Sequence, residues 1–147
     1  MLVDSKKKQL SSEAILMIAA QQTKSPYSPE QVYAALVKEM NLEGTSTYRE
    51  GNTVFLMHHA KGRIGTFRAL NADTARNYLD NSYQFIKDAY EMGFDILVSD
   101  FQDPTIMNLF KGISRNPPRE GMGYRAERTK TGFRVTVKLG PARPDKE

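Results

Sequence analysis

The sequence predicts an α+β fold, a mixed sheet with helices on its faces, from three observations. A strand-like run that ends at Leu70 is followed by an amphipathic segment and then by the apolar run 94–98. Two strands joined by a helix lie parallel, and the crossover between them is right-handed. Strand-like runs before and after this βαβ unit predict antiparallel N-terminal strands and a closing C-terminal hairpin.

A terminal segment and an apolar helix precede the strands. Residues 1–10 contain three consecutive lysines and no apolar anchor, so we expect a flexible basic arm outside a single domain over 11–139. A serine cap at Ser11 or Ser12 predicts a helix as far as Ala20. Because this helix is apolar on nearly every side, it is expected to be buried or to form a protein interface through Ile15 and Ile18.

The second helix has the clearest local signal in the sequence. Ser28 is followed by Pro29 and, three residues after the serine, by Gln31. This is the pattern of a capping box with proline at the first helical position. The helix is expected to end near 41–44, where the apolar periodicity stops and a glycine follows.

The βαβ unit occupies residues 63–99 and follows a hairpin. Strand-like runs over 53–58 and 63–69 form that hairpin, and the first run is apolar enough to be buried on both faces. Asp73 is suited to the N-cap position of the crossover helix. Gly93 is suited to end that helix in the left-handed conformation. Small and apolar side chains recur at steps of three and four on the face expected to lie toward the sheet, at Ala75, Leu79, Ser82, Ile86 and Ala89.

A short helix and a hairpin complete the chain. Proline after Asp103 predicts a helix start, and the apolar face of that helix includes Phe110. A closing hairpin over 123–139 follows, and residues 140–147 are expected to be a flexible tail. Strict alternation in the second strand of the hairpin places four side chains inward, those of Phe133, Val135, Val137 and Leu139.

The amino-acid composition limits which kinds of protein and which reactions the sequence is compatible with. The 147 residues are 39% hydrophobic and 26% charged, which suffices for one core. The absence of cysteine excludes disulfides and thiol catalysis. No apolar run approaches the roughly 20 residues of a membrane span, and the first residues lack a secretion signal. We therefore expect a soluble protein that is cytoplasmic on synthesis and has no membrane partner.

Positive charge is concentrated at the C-terminal end. Residues 111–147 carry 10 basic and 4 acidic side chains, whereas residues 1–110 carry 11 basic and 13 acidic ones. This imbalance indicates either a solvated basic face or attraction to an acidic partner, such as an acidic protein surface or nucleic acid. Few aromatic side chains accompany the basic ones, so only weak phosphate attraction is predicted. The candidate interaction residues are Arg125, Arg128, Lys130, Arg134 and Lys138.

Two side chains are candidate general bases. His58 and His59 are adjacent on a strand, so their side chains leave opposite faces and cannot hold one metal ion together; no metal is expected. His59, near the strand end, suits proton abstraction because the ordinary imidazole pKa is about 6.5. Asp100, at the carboxyl end of its strand, is the second candidate, and a solvated turn residue is its alternative interpretation.

The order of these elements resembles the GNAT superfamily of N-acetyltransferases. The likeness covers roughly residues 28–139: helix, antiparallel strands, long crossover helix, strand, short helix and closing hairpin. It includes the motif spacing after the second parallel strand, formed here by Val98, Asp103, Ile106, Leu109 and Phe110. The resemblance implies a GNAT-like mixed sheet and, in an active member, transfer of an acyl group from acetyl-CoA to an amine.

The resemblance also implies where acetyl-CoA would bind. Active members have a glycine-containing loop after the strand that precedes the crossover helix, and its backbone amides wrap the pyrophosphate. This chain has no glycine there, and Asp73 would repel a polyphosphate. Phe110 stands where a proton-donating tyrosine often lies, and Asp103 replaces asparagine. The residues that would contact the cofactor are Ala69, Leu70, Asn71, Thr74, Ala75, Arg76 and Asn77.

These departures favour a protein that keeps the fold without its chemistry. Such domains are similar to small proteins of tailed bacteriophages, including internal virion proteins. The resemblance therefore implies a non-catalytic virion or interaction component, with no cofactor and with other proteins of an assembly as partners. An active N-acyltransferase that uses acetyl-CoA and a basic protein associated with nucleic acid are the alternatives.

Overall fold

The computed structural model describes residues 2–102 and 104–141. Asp103 and the part of the expected tail from residue 142 onward lie outside the described residues. A short 3₁₀ helix, Pro104–Ile106, directly precedes the fourth α-helix. The helices and strands in chain order are α1 (Ser12–Gln22), α2 (Pro29–Met40), β1 (Thr45–Glu50), β2 (Thr53–Lys61), β3 (Ile64–Asn71), α3 (Ala75–Glu91), β4 (Ile96–Phe101), α4 (Met107–Arg115), β5 (Gly123–Arg128) and β6 (Phe133–Lys138).

The strands form a mixed sheet in the order β1-β2-β3-β4-β6-β5. β3 and β4 run parallel, with Ile64 opposite Ile96 and Thr66 opposite Val98. β1 pairs with β2, β4 with β6, and β5 with β6, in each case antiparallel. The predicted α+β class, the parallel crossover and the closing hairpin are confirmed.

The chain gathers into two compact units. The first contains the chain up to His58 together with Arg68–Ser82, and the second contains His59–Phe67 together with the chain from Tyr83 onward. In the first unit, α1 and α2 pack their apolar side chains with those of β2 and β3. Ile15 and Ile18 belong to this core and are 0% and 9% exposed. They are therefore not available as the interaction surface that the sequence offers as one alternative.

Aromatic rings connect the elements of the second unit. The ring centroid of Phe67 lies 5.1 Å from that of Phe85 and 5.9 Å from that of Phe101. The Phe101 ring lies 6.0 Å from Phe110 and 5.9 Å from Phe133. Aromatic pairs at these separations stabilise a core beyond the area that they bury. This row joins β3, α3, β4, α4 and β6 through side-chain packing.

Three of the predicted helix ends, at Ser11, Ser28 and Gly93, are confirmed because they depend on residues close in sequence. The side chain of Ser11 accepts a hydrogen bond from the Ala14 amide. Ser28 and Gln31 form both bonds of the capping box. Gly93, with φ +106°, follows α3 in the left-handed conformation expected of a helix stop.

The first strand and the buried face of α3 differ from the sequence prediction. β1 is not anticipated, because it is a polar strand (TSTYRE) at the edge of the sheet, where no apolar alternation is needed. The buried face of α3 is also rotated from the predicted one. Ala75 is exposed, whereas Asn77, Asn81 and Phe85 are buried beside the expected Ser82, Ile86 and Ala89. The polar members of this face were missed because hydrophobic periodicity does not report buried asparagines.

Among the described residues, no helix combines the length and the apolar character needed to cross a membrane.

Candidate functional site

The hinge between β3 and α3 is built around the carboxylate of Asp73, which is fully buried. Its Oδ1 accepts from the backbone N–H of Ser5 at 2.7 Å. Its Oδ2 accepts from the backbone N–H of Asn52 at 2.9 Å and from the side-chain amide of Asn81 at 2.8 Å. Within the described part of the chain, none of these bonds comes from a backbone amide in the first turn of α3. The expectation that Asp73 caps this helix is therefore wrong, because donors from three other places converge on its oxygens.

The beginning of the chain lies along the hinge. The N–H of Val3 donates to the carbonyl of Ala72, and the N–H of Thr74 donates to the carbonyl of Val3, both at 2.9 Å. These two bonds form a parallel β-bridge between Val3 and Asp73. The hinge thus has a one-residue strand partner from the segment that the sequence assigns to an arm.

The same segment is bonded at its far end. The side-chain oxygen of Asn52 accepts from the N–H of Leu10, and its amide donates to the carbonyl of Lys8, both at 2.9 Å. The guanidinium of Arg49 also donates to the carbonyl of Leu10. Residues 2–10 are thus bonded to the first unit, in contrast to the separate arm that we expect from the sequence. The sequence prediction of an arm depended on the lack of apolar side chains that could hold the segment. In the structure, hydrogen bonds hold it instead.

Three consecutive backbone amides of the hinge donate to protein acceptors. The N–H of Ala72 donates to the carbonyl of Asn52 at 2.9 Å, and the N–H of Asp73 donates to Oδ1 of Asn71 at 3.0 Å. The amide of Thr74 donates to Val3, as described above. A pyrophosphate is held by amides that point at it from a backbone without Cβ atoms. The residues of this loop therefore do not fit the pyrophosphate of acetyl-CoA.

The other predicted cofactor contacts are mostly engaged within the protein. The side-chain amide of Asn71 donates to the carbonyl of Asp73, and its oxygen accepts from the Thr53 hydroxyl at 2.9 Å. Asn77 is buried and donates to Oδ1 of Asp4 at 2.6 Å. Of the remaining residues in the set, Leu70 is buried, Ala69 and Thr74 are half-buried, and Ala75 and Arg76 are exposed.

The first turn of α3 keeps the donors that any helix start leaves. The first helical bond runs from the N–H of Tyr78 to the carbonyl of Thr74 at 2.8 Å. In the described ranges, no acceptor contacts the amides of Ala75, Arg76 or Asn77. Of the predicted contacts with acetyl-CoA, these amides and the exposed Arg76 side chain are therefore the groups left to bind an anion.

The two candidate bases have different surroundings. His59 is exposed, and its ring stacks on Phe94 with 4.7 Å between centroids. Asp100 accepts two bonds from the guanidinium of Arg134, at 2.8 and 3.3 Å. This hydrogen bonding by Arg134 holds the pKa of the Asp100 carboxyl below its ordinary value. A carboxylate with a lowered pKa is a poor proton acceptor, so Asp100 is unsuited to the role of general base.

Phe110 occupies the position of the tyrosine that the resemblance implies for active enzymes. It is fully buried, and its ring lies 6.0 Å from Phe101 and 5.5 Å from Tyr124. The position therefore serves core packing and has no hydroxyl to donate a proton.

The predicted basic surface is divided between two faces of the sheet. Arg134 and Lys138 alternate with the buried Val135 and Val137, and Arg125 lies opposite Thr136 on the same face as the two basic residues. Arg128 lies opposite Phe133 and so belongs to the other face. Lys130 is in the turn between the two strands.

On the face that carries Arg125, Arg134 and Lys138, two of these basic residues have acidic partners. Arg134 pairs with Asp100, and Arg125 lies 3.2 Å from Glu127. The charge of this face is therefore smaller than the sequence count indicates.

A polar cluster that sequence reasoning missed surrounds His58. Its Nδ1 lies 3.0 Å from the hydroxyl of Thr45, and its Nε2 lies 3.2 Å from the carboxylate of Glu39. The other oxygen of Glu39 accepts from Arg68 at 2.7 Å. No spacing in the sequence relates these four residues, because they come from α2 and three strands. No group of three or more histidine, aspartate or glutamate side chains within the described ranges is arranged to hold a metal ion.

No protein-family model matches the sequence, and no curated protein does. Several solved acetyltransferases have a similar structure. An aminoglycoside 6'-acetyltransferase of type Ii is 8% identical, with a TM-score of 0.60 over 93% of this chain and 98% of that one. The ribosomal-protein-S18-alanine N-acetyltransferase of Escherichia coli is 12% identical, with a TM-score of 0.56 over 95% and 97%.

A further similar structure contains the cofactor. YncA of Salmonella typhimurium, assigned as an acetyltransferase and solved with acetyl-CoA, is 13% identical, with a TM-score of 0.55 over 94% of this chain and 96% of that one. At such low identity the likeness concerns the fold. The chain therefore has the fold of the GNAT acetyltransferases, which confirms the resemblance inferred from the order of its elements.

Proposed function

We propose that this protein is a non-catalytic member of the GNAT fold that acts as a binding component of a larger protein assembly. One observation carries the proposal: the amides of Ala72, Asp73 and Thr74 donate to the protein itself, one of them to the N-terminal segment. In this arrangement the hinge is filled by the chain's own backbone. Acetyl-CoA would have to displace Val3 and expose the buried carboxylate of Asp73 to a polyphosphate.

The surroundings of the candidate catalytic residues support the same proposal. Phe110 has no proton to donate, and Asp100 is held by Arg134. His59 remains as an exposed imidazole with a stacked ring as its neighbour. A fold that retains its sheet but has no coupled acid and base at these positions suits binding better than group transfer.

The likeness to small proteins of tailed bacteriophages extends the proposal to a place in a virion. This finer part stands on the resemblance alone. It is tested by mass spectrometry of purified particles from cells that produce this chain during infection. Its presence at a fixed copy number per particle would support the assignment, and its absence from purified particles would overturn it.

The test of the main proposal is calorimetric titration of the full chain with acetyl-CoA and with CoA at millimolar concentration. We expect no saturable heat, because the hinge offers no free amides from 72 to 74. YncA, which has been solved with acetyl-CoA, is the positive control under the same conditions. Saturable binding, abolished by mutation at the hinge, would contradict the proposal.

An active N-acyltransferase is the second candidate, and the first turn of α3 favours it. The amides of Ala75, Arg76 and Asn77 have no acceptor within the described residues, and the Arg76 side chain is exposed. If the chain is an active N-acyltransferase, acetyl-CoA should raise the midpoint temperature of thermal unfolding, and Arg76→Ala should reduce that rise. Arg115→Ala, which removes an exposed arginine at the end of α4, is the matched control and leaves the effect unchanged. No thermal shift in the parent chain would exclude the alternative.

A further inference from the structure

A cavity of about 540 Å³ opens on the second unit, at the face of the sheet formed by β4, β6 and β5. Ile96, Gly123, Arg125, Thr136, Lys138 and Pro141 are among the residues that line it. Sites for small molecules have volumes of roughly 300–1,000 Å³, so the cavity is large enough to hold one. It includes none of the hinge residues and none of the candidate bases.

The register of the strands explains why a cavity forms at this place. Lys138 lies between Gly123 on β5 and Ile96 on β4, and these three positions form one row across the sheet. Gly123 contributes no side chain to that row, and a Cβ built there would meet no atom within 4 Å. The row of side chains therefore has a gap beside Lys138, and the backbone at Gly123 forms the bottom of that gap.

Arg119 holds the wall of the cavity at the end of β6. Its guanidinium donates to the carbonyl of Leu139 at 3.0 Å and to that of Lys87 at 3.1 Å, and it lies 4.3 Å from the centroid of the Tyr90 ring. The Tyr90 hydroxyl donates to the carbonyl of Pro141 at 3.1 Å. These bonds connect residues 139–141 to α3 beside the cavity.

The charges around the cavity favour an anion. Lys138 has no ion pair among the described residues, whereas Arg125 lies 3.2 Å from Glu127. Among the described residues that line the cavity, one carries a carboxylate: Asp95 lies 3.8 Å from the guanidinium of Arg63, which offsets its charge. Ile96 and Pro141 supply apolar surface to the lining.

We propose that this cavity is a binding site for a small organic anion with an apolar body, such as an aromatic carboxylate or sulfonate. The ammonium group of Lys138 binds the anionic group, and the hydroxyl of Thr136 lies in the neighbouring row. The apolar body fills the space that Gly123 leaves beside Lys138. The site is independent of the hinge, so it does not depend on whether acetyl-CoA binds there.

The probe is the fluorescent dye 8-anilinonaphthalene-1-sulfonate, which has this chemistry. We expect saturable binding of one dye per chain, with amide chemical-shift changes at Gly123, Thr136 and Lys138. Gly123→Leu fills the cavity and weakens binding at least about tenfold, because the apolar body no longer fits. Lys138→Gln, a change at an exposed position, weakens it about tenfold through loss of a charge-assisted bond.

Each variant has a matched control outside the cavity. Gly112→Leu adds the same side chain on α4, where a Cβ also meets open space, and Lys130→Gln removes the same charge from the hairpin turn. Both controls should bind the dye as the parent chain does. The neutral analogue N-phenyl-1-naphthylamine should bind at least about tenfold more weakly than the anion, which separates this site from a merely apolar one.

Three results would overturn the proposal. One is the absence of saturable dye binding to the folded parent chain. The second is equal affinity for Lys138→Gln and Lys130→Gln, or for the charged and the neutral dye. The third is a set of shift changes located away from the cavity. Retention of the parent unfolding transition in each variant shows that dye binding does not come from a loosened fold, which also binds this dye.

Discussion

At the scale of single residues, Asp73 matters most for the local structure. It receives hydrogen bonds from a residue near the start of the chain, from the turn before β2 and from the second turn of α3. Gly51 lies against this cluster, because a Cβ there would come within 2.9 Å of Asp73 Oδ2. A buried acceptor with three donors stabilises the fold: without it the backbone amides of Ser5 and Asn52 would lose their partner, and Asn81 would keep only its bond to the Thr53 hydroxyl.

Replacing this carboxylate should therefore be costly. We expect Asp73→Ala to lower the free energy of unfolding by about 3 kcal/mol, because two buried donors and one half-buried donor lose their acceptor. Urea denaturation measures the change. Asp80→Ala, an exposed aspartate on α3, is the matched control and should change stability by less than about 0.5 kcal/mol. Equal stability of the two variants would contradict this account of the hinge.

The pKa of Asp100 gives a second prediction at this scale. In the parent chain, a ¹³C titration should place the pKa of this carboxyl below the ordinary value, and Arg134→Gln should return it toward that value. Because the folded pKa is lowered, the stabilising effect is present above the unfolded pKa and is lost as the pH falls through the folded pKa. Arg125→Gln, on the neighbouring strand, should leave the Asp100 titration unchanged. An Asp100 pKa that is the same in both variants would refute the pairing.

At the scale of elements, the closing hairpin is joined to β4 at its turn. The N–H of Thr129 donates to the carbonyl of Gly132 at 2.9 Å, which closes the turn between β5 and β6. A Cβ at Gly132 would collide with the backbone carbonyl of Phe101, the last residue of β4. Glycine is required here by close approach of two backbones, not by a left-handed conformation.

This requirement predicts opposite effects at two glycines. Gly132→Ala should lower the free energy of unfolding by about 2 kcal/mol, because backbone must move to admit the methyl group. Gly112→Ala, inside α4 with open space around its Cβ, should raise it by about 0.5–1 kcal/mol through helix propensity. Thermal unfolding of the two variants gives the comparison. A Gly132→Ala protein as stable as the parent would show that the turn is free to shift.

At the scale of the whole molecule, the start of the chain contributes to the structure of its middle. The bond from Ser5 to Asp73 spans 68 positions in sequence. The N–H groups of Lys7 and Lys8 both donate to the carbonyl of Asp4, so Ser5 lies in a turn at a position where proline is well tolerated. A proline there removes the N–H while it keeps the turn, which isolates the long-range bond.

Two substitutions at Ser5 test this contact. Ser5→Pro should lower the free energy of unfolding by about 1–2 kcal/mol and speed hydrogen exchange of the Thr74 amide, because the donor to Asp73 is lost and the segment detaches. Ser5→Ala keeps the backbone N–H and should match the parent protein in both measurements. Identical exchange rates at Thr74 in the two variants would mean that residues 2–10 form an arm after all.

The sequence by itself determined the features that depend on neighbours along the chain. Ser11, the Ser28 capping box and Gly93 act within one helical turn of their own helices, so their roles could be read directly. The apolar run 54–57 and the face of α4 were predicted for the same reason. These local features gave the order of the elements, and it is that order which resembles the GNAT fold.

Only the tertiary structure decided what the hinge does. The sequence shows that Asn71–Asn77 contains no glycine, but not that Val3, Ser5 and Asn52 occupy its bonding groups, because those residues lie far from it along the chain. The polar edge strand β1 and the division of the basic residues between two faces were hidden in the same way. Buried polar contacts have no periodic pattern in sequence, since each depends on where the backbone brings a single donor to a single acceptor.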